Sequence, residues 1–366
     1  MKVTAAVTPA KSEPFEVKEL DLDGPHTGEI LVKIVATGMC HTDLVVRDQY
    51  YPVPLPAVLG HEGAGIVEAV GEGVTKVKKG DHVVMSFGAC DDCHSCFNGE
   101  PGYCKDFFAE NLGAMRADGT PLYSDAGTPV HGNFFQQSSF GSHAICREQN
   151  IVIVPEDVSL ELLGPLGCGV QTGAGAVMNS FKPEAGTSIV IFGAGSVGLS
   201  AVMAAKVVGC TNIIAVDVIA SRLDMAIELG ATAVANPSEI DDITAWIVEA
   251  TGGGADYSLE TTALPSVLRQ AIDCIHVRGI CGVVGAPALG TEVSIDVNSL
   301  LFGRTVRGII EGDSVPDIFI PRLIELFKQG RFPFDKLVKF YDLKDINQAA
   351  DDSSSGRVIK PIIRMP

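Results

Sequence analysis

The pattern of apolar and polar residues in positions 1–165 is that of short β-strands. Apolar and polar residues alternate over 29–38 and over 65–71, so that every second side chain falls on the same face. A glycine ends each of these stretches. Short alternating strands separated by glycine turns predict an antiparallel, barrel-like β domain. The polar and glycine-rich segment 106–137 is expected to be a long surface loop.

Between residues 170 and 309 the pattern changes to short apolar runs that alternate with helical segments. The runs are rich in β-branched residues, as in strands that are buried on both faces. The helical segment 199–208 ends at a glycine, and the segment 222–229 follows Ser221, a residue type favoured at helix N-termini. The expected strands are residues 189–192, 213–216, 233–235, 257–260, 280–284 and 305–309, and further helices are expected over 240–250 and 266–275. About six strands joined by crossover helices predict an α/β domain with a doubly wound parallel sheet, the Rossmann arrangement.

The last segment, residues 310–366, predicts one helix over 317–328 and a short strand over 358–364. The polar run DDSSSG at 351–356 is expected to be a loop. We expect these residues to return to the β-rich first domain.

A glycine-rich turn stands between the first strand of the Rossmann pattern and its helix. Gly193, Gly195 and Gly198 give the spacing G-x-G-x-x-G. The first glycine permits a tight turn, the second lets the backbone approach a pyrophosphate, and the third lets helix and strand pack closely. The next strand ends on Asp217, about 20 residues further on, where an acid can bind the two hydroxyls of a ribose. A glycine-rich turn can be merely structural, but strand, helix, second strand and terminal acid together favour a dinucleotide site.

Size and charge limit the classes of function. The chain has 366 residues, enough for two domains, and 46% of them are hydrophobic, which is ordinary for a globular core. The net charge is −18, so nucleic acid and anionic membranes are unfavourable partners. The N-terminal residues have no apolar run followed by a cleavage site, and no window is apolar for long enough to span a bilayer. We therefore expect a cytoplasmic protein.

Four of the ten cysteines stand close together in a loop rich in Gly, Asp and Asn. Cys90, Cys93, Cys96 and Cys104 have the spacing C-x2-C-x2-C-x7-C. Four thiolates at this spacing can form a closed tetrahedral shell around zinc, and a closed shell makes the site structural rather than catalytic. The alternatives are two disulfides, which an acidic cytosolic chain disfavours, and an iron–sulfur cluster, whose spacing can overlap this one.

A second set of metal-ligating residue types is spread along the chain. Cys40 lies in GMCHTD, His61 and Glu62 lie in GHEGAG, and Cys168 lies in GPLGCGVQTG. Alone, a buried cysteine is usually a small core residue, and a lone histidine is usually part of the scaffold. Together, two thiolates and one imidazole are the ligands of a catalytic zinc that keeps one position open.

In order and approximate spacing, these motifs resemble those of the zinc-dependent medium-chain alcohol dehydrogenases over essentially the whole chain. The resemblance is carried by GHEGAGIVEAVG, the four-cysteine lobe, Cys168 and the turn GAGSVG. The stretches GMCHTDLVVRDQYYPVPLPAVLGHEG, ELLGPLGCGVQTGAGA and GRFPFDKLVKFY are similar in particular to the bacterial aryl-alcohol (benzyl-alcohol) dehydrogenase group. The resemblance implies a GroES-like catalytic domain over 1–169 with a zinc lobe at about 88–106, an NAD-binding Rossmann domain over 170–309, and a return of 310–366 to the catalytic domain.

The same resemblance implies which residues hold the catalytic metal. Cys40, His61 and Cys168 are expected to bind a catalytic zinc. Glu62 is expected behind the metal, as a transient further ligand. Asp43 is expected to fix the tautomer of His61 through its second ring nitrogen.

The resemblance also implies the residues around the substrate and the cofactor. Thr42 is expected to accept the hydroxyl proton of the alcohol, and His41 to face the cofactor pyrophosphate. The expected cofactor contacts are His41, Thr172, Gly193, Gly195, Val197, Gly198, Asp217, Arg222 and Lys360. The expected substrate-pocket residues are Phe87, Phe140 and Ile309. For the two phenylalanines, an ordinary place in the core is the alternative.

The activity that the resemblance implies is the NAD-dependent oxidation of a primary, aromatic alcohol to its aldehyde, with two zinc ions per chain. We expect a homodimer or homotetramer whose other partner is the small-molecule alcohol or aldehyde. One departure from the family concerns Val45, which stands where many members carry the outer histidine of a proton relay. The proton must therefore leave in another way, through His41 or through water.

Three other functions are open at this point. A glutathione-adduct or aliphatic alcohol dehydrogenase would use the same scaffold. A zinc-free quinone or enoyl reductase of the same superfamily would give no reason for Cys40, His61 and Cys168 to occur together. A zinc module that binds nucleic acid, joined to a redox sensor, is opposed by the net charge of −18.

Overall fold

The computed structural model describes all 366 residues, which form two compact units. The first unit comprises Met1–Cys168, Val315–Ile324 and Asp335–Pro366, and the second comprises Gly169–Ser314 and Glu325–Phe334. The chain changes unit directly after Cys168, and most of its C-terminal segment belongs to the first unit.

The regular elements are short strands and helices distributed over both units. The strands are β1 (Lys2–Thr8), β2 (Glu16–Leu22), β3 (Glu29–Gly38), β4 (Ala57–Val58), β5 (Glu62–Val70), β6 (His82–Met85), β7 (Tyr123–Asp125), β8 (Thr128–Val130), β9 (His143–Arg147), β10 (Ile151–Ile153), β11 (Ser188–Phe192), β12 (Asn212–Val216), β13 (Ala233–Ala235), β14 (Ala255–Glu260), β15 (Ile275–Val283), β16 (Thr305–Gly308), β17 (Val338–Asp342) and β18 (Lys360–Arg364). The helices are α1 (His41–Arg47), α2 (His94–Phe97), α3 (Phe107–Leu112), α4 (Gly169–Gly175), α5 (Ser196–Val208), α6 (Ala220–Leu229), α7 (Ile243–Ala250), α8 (Pro265–Asp273), α9 (Val297–Leu301), α10 (Pro316–Lys328) and α11 (Ile346–Ser354). None of these helices combines the length and the apolar character that a membrane span requires.

The first unit is built on two sheets of mainly antiparallel strands. One has the order β4-β1-β2-β7-β8, and the other has the order β10-β6-β5-β3-β18-β17, with β9 also paired to β3. Only β17 and β18 run parallel to each other. The predicted strand at 29–38 is β3, which pairs antiparallel with β5, β9 and β18 and is largely buried. These sheets confirm the predicted β-rich domain.

The segment 106–137, expected to be a surface loop, is a partly buried part of the first unit. It contains α3, β7 and β8, and the side chains of Tyr123 and Phe134 are almost fully buried. The guanidinium of Arg116 is buried as well, because its Nε and Nη2 donate to Glu29 Oε1 and Oε2 at 2.8 and 3.1 Å. The prediction was wrong because polar side chains of this segment are buried in hydrogen-bonded pairs, whereas composition counts them as facing solvent.

The second unit contains a six-stranded parallel sheet in the order β13-β12-β11-β14-β15-β16. This order is that of a doubly wound Rossmann sheet, and it confirms the predicted fold class. Residues 189–192 of β11 are completely buried, which explains why the run is continuously apolar. The strand order reverses between β11 and β14, and such sheets bind their ligands at the carboxyl ends of the strands at this point.

The helix after the glycine turn begins earlier than predicted. α5 starts at Ser196, because Gly193 has a φ of +92° and turns the chain at the end of β11. A Cβ on Gly198 would lie 1.8 Å from the carbonyl oxygen of Gly193. Only glycine therefore allows the first turn of α5 to pack this close to the strand.

The next helix also begins earlier than predicted. α6 starts at Ala220, with Ile219 rather than Ser221 in the cap position. The carboxylate of Asp217 accepts a hydrogen bond from the backbone nitrogen of Ile219 at 2.9 Å. This bond starts the turn two residues before Ser221, so the serine is already inside the helix.

The C-terminal segment contains the expected helix and strand, α10 and β18, and two elements that were not predicted, β17 and α11. The run 351–356, expected to be a loop, includes the last turn of α11. Its Asp352 is buried, and the carboxylate accepts hydrogen bonds from Tyr341 Oη at 2.5 Å and Arg357 Nε at 2.8 Å. This polar run can be helical because the charge that it buries, on Asp352, is paired with hydrogen-bond donors.

Candidate active site

Three potential metal ligands, far apart in sequence, converge in the first unit. Cys40 directly precedes α1, and His61 directly precedes β5. Cys168 is the last residue of the first of the three segments that form this unit. One ligand atom from each, two sulfurs and one ring nitrogen, lies within 4.8 Å of the others. The sequence could name these residue types, and the structure places them together.

Asp43 connects the parts of this cluster. The carboxylate is completely buried; its Oδ1 accepts from His61 Nδ1 at 2.8 Å and from the backbone nitrogen of Gly60 at 3.1 Å. Its Oδ2 accepts from the backbone nitrogen of Cys40 at 2.9 Å. One carboxylate therefore fixes the imidazole and the start of α1 at the same time.

The other ring nitrogen of His61 indicates what the cluster can hold. Because Nδ1 donates to Asp43, Nε2 is the ring nitrogen that remains to bind a metal. This Nε2 is buried and has no hydrogen-bond partner. A buried ring nitrogen without a partner, beside two cysteine sulfurs, fits a metal cation, and two sulfurs with one imidazole are ligands that zinc prefers. The residues present therefore fit a zinc ion.

The charges around the cluster favour a deprotonated sulfur. The hydrogen bond with Cys168 lowers the pKa of Cys40 most; burial opposes this, and His61 and Lys360 lower the pKa further, to well below its usual value. Burial lowers the pKa of His61, but the Asp43 carboxylate and the Cys40 sulfur raise it more, to well above its usual value. The first unit thus stabilises negative charge on sulfur next to the imidazole.

Glu62 and Lys360 form a buried ion pair in the same unit. Lys360 Nζ lies 2.8 Å from both carboxylate oxygens of Glu62 and donates to the backbone oxygen of Met39 at 3.3 Å. Burial raises the pKa of Glu62, and Lys360 offsets only part of that rise. A Cβ at Gly38 would lie 1.9 Å from Glu62 Oε2, so the carboxylate has room only because residue 38 is glycine. The Lys360 ammonium, expected to contact the cofactor, is directed at Glu62.

Two phenylalanines that the sequence interpretation did not single out contact His61. The Phe135 ring stacks on the imidazole with a centroid distance of 4.6 Å and an interplanar angle of 28°, and Phe134 meets it edge-on at 5.5 Å. The signal available in the sequence was an aromatic pair inside the polar segment 106–137. That signal was missed because the segment was interpreted as a surface loop.

The three expected pocket residues lie in hydrophobic cores. Phe140 is completely buried and packs edge-on against Phe15 at 5.7 Å. Phe87 is buried, with its ring 6.0 Å from that of Phe107. Ile309 is buried in the second unit. Their contact with substrate stays a prediction.

The backbone that carries the two phenylalanines is strained. Asn133, Phe135, Gln136 and Ser138 all have φ values between +50° and +66°, in the left-handed region. Strain of this kind persists only where the surroundings fix it, and it is common at functional sites. Here the Gln137 side chain fixes it, because its Oε1 accepts from the nitrogen of Gly63 at 3.0 Å and its Nε2 donates to the oxygen of His61 at 3.0 Å.

The residues expected to handle the proton lie on α1. Thr42 is half-buried, and its Oγ1 lies 3.8 Å from Cys40 Sγ. His41 is exposed at the first position of the helix, and Val45 is half-buried further along it. The structure therefore brings Thr42, but not Val45, into contact with the metal-ligand cluster.

The four clustered cysteines form a second potential metal site in the first unit. The sulfurs of Cys90, Cys93, Cys96 and Cys104 all lie within 4.8 Å of one another, and none of them forms a disulfide. Cys104 Sγ accepts from the backbone nitrogens of Cys90 at 3.3 Å and Asp106 at 3.4 Å. Backbone hydrogen bonds from Cys96 and Lys105 lower the pKa of Cys93 to about 6, whereas Asp92 raises the pKa of Cys90 and burial raises that of Cys96 to about 11. Backbone donors directed at sulfur support thiolates that bind a metal.

The expected cofactor residues lie mainly in the second unit. Asp217 directly follows β12; its Oδ2 accepts from the nitrogen of Ala194 at 2.7 Å, and Arg222 Nη1 lies 3.8 Å from the same oxygen. Thr172 lies on α4 and donates to Glu311 at 3.3 Å. The turn residues surround the start of α5, and they are Gly193, Gly195, Val197 and Gly198.

Comparison with known proteins agrees with this architecture. Residues 26–156 match the alcohol dehydrogenase GroES-like domain, and residues 196–329 match the zinc-binding dehydrogenase family. Geraniol dehydrogenase of Castellaniella defragrans is 46% identical over 98% of this chain and 96% of its own. The crystal structure of benzyl alcohol dehydrogenase from Acinetobacter calcoaceticus is 52% identical, with a TM-score of 0.97 and all of both chains covered.

A third similar protein extends the comparison. An alcohol dehydrogenase zinc-binding domain protein from Burkholderia ambifaria is 59% identical, with a TM-score of 0.98, and the match covers 100% of this chain and 99% of that one. Domain matches, full-length relatives and the converging ligand set all agree. The chain belongs to the zinc-dependent medium-chain alcohol dehydrogenases.

Proposed function

We propose that the protein oxidises primary alcohols that carry an aromatic ring to the corresponding aldehydes, with NAD as the hydride acceptor. The observation that carries the proposal is the pair of rings on His61, Phe135 stacked and Phe134 edge-on. A planar apolar substrate beside this aromatic pair would remove its own apolar area from water, at about 25 cal/mol per Å². Two relatives are named for benzyl alcohol and for geraniol, both primary alcohols whose carbinol carbon is bonded to an unsaturated carbon.

Cys40, His61 and Cys168 are the residues that would hold a catalytic zinc ion. When bound, zinc lowers the pKa of an alcohol hydroxyl and polarises a carbonyl group. The protein contributes by holding the imidazole in place: Asp43 accepts from His61 Nδ1, so that Nε2 remains available to the ion. The buried pairing of Glu62 with Lys360 supplies a carboxylate whose charge is already balanced.

Proton removal is assigned to Thr42. Its hydroxyl can accept a hydrogen bond from the alcohol and donate one onward, which a proton acceptor in a relay must do. Val45 on the same helix has no group that can take the proton further. The exposed His41 and water are the two remaining routes to solvent.

The dinucleotide site is assigned to the turn before α5 and to Asp217. The turn brings backbone N–H groups and the start of a helix to where a pyrophosphate binds. A 2′-phosphate on the ribose would meet the Asp217 carboxylate as a like charge. Arg222, the nearest cation, is already paired with this carboxylate at 3.8 Å. These charges support NAD over NADP.

A second zinc ion is assigned to Cys90, Cys93, Cys96 and Cys104. A shell of four thiolates leaves no open position, so this ion would have a structural role. Few apolar side chains pack together in this lobe, so a bound metal would stabilise its fold in place of a hydrophobic core.

The experiment that tests the proposal is a substrate panel scored by kcat/KM with NAD and NADP. Benzyl alcohol should exceed ethanol by at least about 100-fold, which corresponds to about 2.7 kcal/mol of transition-state binding. Higher kcat/KM for ethanol or S-(hydroxymethyl)glutathione would disprove the aromatic assignment and leave the family membership intact. Geraniol above benzyl alcohol would favour an allylic aliphatic substrate instead, as the name of the Castellaniella relative suggests.

A further inference from the structure

A carboxylate lies next to the aromatic side chains around His61. We define the aromatic cluster as Phe87, Phe107, Phe134 and Phe135. Phe107 is on α3, 6.0 Å from Phe87 and 6.5 Å from Phe135 between ring centroids. Glu110 follows Phe107 by one helical turn and therefore lies on the same face of α3. It is the only charged side chain of this helix.

Glu110 is hydrogen-bonded to the strained segment that carries the phenylalanines. Gln136 Nε2 donates to Glu110 Oε2. A Cβ on Gly88 would lie 2.5 Å from Gln136 Cδ, so the amide is packed against the backbone at residue 88. The neighbour of Glu110 on the helix, Asn111, exchanges two hydrogen bonds with the same backbone, at 2.8 and 2.9 Å. The position of the Glu110–Gln136 pair is therefore fixed from both sides.

The pair has an acceptor that the protein leaves unused. Gln136 is 2% exposed, and its Oε1 has no hydrogen-bond partner. A buried carbonyl oxygen without a donor costs free energy, which a ligand with a hydrogen-bond donor would recover. Gln136 Oε1 and the half-buried Glu110 carboxylate together offer hydrogen-bond acceptors and negative charge. The amide nitrogen of Gln136 donates to Glu110.

We propose that Glu110 and Gln136 form a negatively charged, acceptor-rich subsite for the end of the substrate that lies far from its alcohol group, and that this subsite sets substrate preference by charge. Alcohols with a hydrogen-bond donor or a cation at that end are favoured, and alcohols with an anion are rejected. Because glutathione adducts carry carboxylates, the subsite disfavours them. This inference rests on the proposed function, the oxidation of benzyl-type alcohols at the neighbouring His61.

The test compares three para-substituted benzyl alcohols: unsubstituted, carboxylate-bearing and aminomethyl-bearing. In Glu110→Gln, kcat/KM for the carboxylate relative to benzyl alcohol should rise about tenfold, and the ratio for the aminomethyl compound should fall about tenfold. The matched control is Glu13→Gln, which removes the same charge from an exposed position and should leave both ratios unchanged. Unchanged ratios in Glu110→Gln would overturn the inference.

A second variant tests the neutral acceptor. Gln136→Met keeps the size of the buried side chain and removes the amide, so 4-hydroxybenzyl alcohol should lose about tenfold in kcat/KM relative to benzyl alcohol. Calorimetric titration of the same alcohols gives the ratios of dissociation constants without turnover. If the wild type oxidises benzyl alcohol but neither variant changes any ratio, only this inference fails. If the wild type neither oxidises nor binds benzyl alcohols, the proposed function fails and this inference fails with it.

Discussion

Asp43 shows how much of the candidate metal site depends on one side chain. Its two oxygens accept three hydrogen bonds, from His61 Nδ1 and from the backbone nitrogens of Gly60 and Cys40. An asparagine has only one acceptor oxygen and cannot satisfy all three donors. We expect Asp43→Asn to retain less zinc and to lose about 10- to 100-fold in kcat/KM, as changes behind a metal ligand typically do.

The measurement is zinc content by elemental analysis together with steady-state kinetics. Asp48→Asn is the matched control, because it changes an aspartate at the other end of α1 that pairs with Arg47. Full zinc content and full activity in Asp43→Asn would show that the carboxylate does not support His61.

The choice of cofactor also depends on one residue. Asp217→Asn keeps the size of the side chain and one of the two oxygens that accept from the backbone nitrogens of Ala194 and Ile219, but removes the charge that a 2′-phosphate would meet. We expect kcat/KM with NADP to rise relative to NAD by about tenfold. The ratio should stay constant in Asp224→Asn, an exposed position on α6. Equal use of NAD and NADP by the wild type would contradict the argument directly.

The residues of the candidate metal site could be predicted because the motifs that contain them resemble those of a known zinc-dependent family. Metal chemistry explains the residue types, two thiolates and one imidazole, but it does not select Cys40, His61 and Cys168 among the other cysteines and histidines. Phe134 and Phe135 could not be found in this way. They lie in a segment where Phe135, Gln136 and Ser138 adopt positive φ, a conformation that these residue types do not favour.

Among the elements, the parallel strands were the most predictable and the polar elements the least. Strands β11 and β12 are buried on both faces, so their sequences are continuously apolar and their length is evident. α11 and the segment 106–137 contain polar residues whose burial depends on partners elsewhere in the chain, such as Glu29 for Arg116. No local pattern contains that information.

The packing of α11 on β17 depends on Asp352. Hydrogen bonds from Tyr341 and Arg357 hold the pKa of Asp352 well below its usual value. The folded state therefore binds this proton less readily than the unfolded state does. The stabilisation is fully present above the unfolded pKa of about 3.9 and is lost as the pH falls towards the lower folded pKa.

We therefore expect Asp352→Asn to lower the melting temperature at neutral pH and to approach the wild type as the pH falls below about 4. Thermal unfolding measured from pH 7 downward checks this. Asp351→Asn, at the exposed neighbouring position, should follow the wild type at every pH. A difference between wild type and Asp352→Asn that is independent of pH would mean that the amide only disturbs packing.

For the molecule as a whole, the two candidate zinc sites and the dinucleotide turn differ in the unit to which they belong, and the two zinc sites differ in the number of ligands that the protein supplies. Both cysteine-containing sites belong to the first unit, and the turn with Asp217 belongs to the second. The site at His61 has three ligands from the protein, whereas the lobe has four. A site with an open position exchanges its metal more readily than a closed one.

These differences predict an order of loss on treatment with a chelator. The first zinc should leave from Cys40, His61 and Cys168, with loss of activity but with little change in the melting temperature. The second should leave from the lobe only with unfolding, because a structural zinc contributes directly to the folding free energy. NADH binding, followed by its fluorescence, should survive the first step, since no candidate metal ligand belongs to the second unit.

In Cys93→Ser the lobe should lose its zinc first, and the melting temperature should be lower before any chelator is added. Elemental analysis that gives fewer than two zinc ions per untreated chain, or loss of NADH binding with the first zinc, would contradict this assignment of the sites.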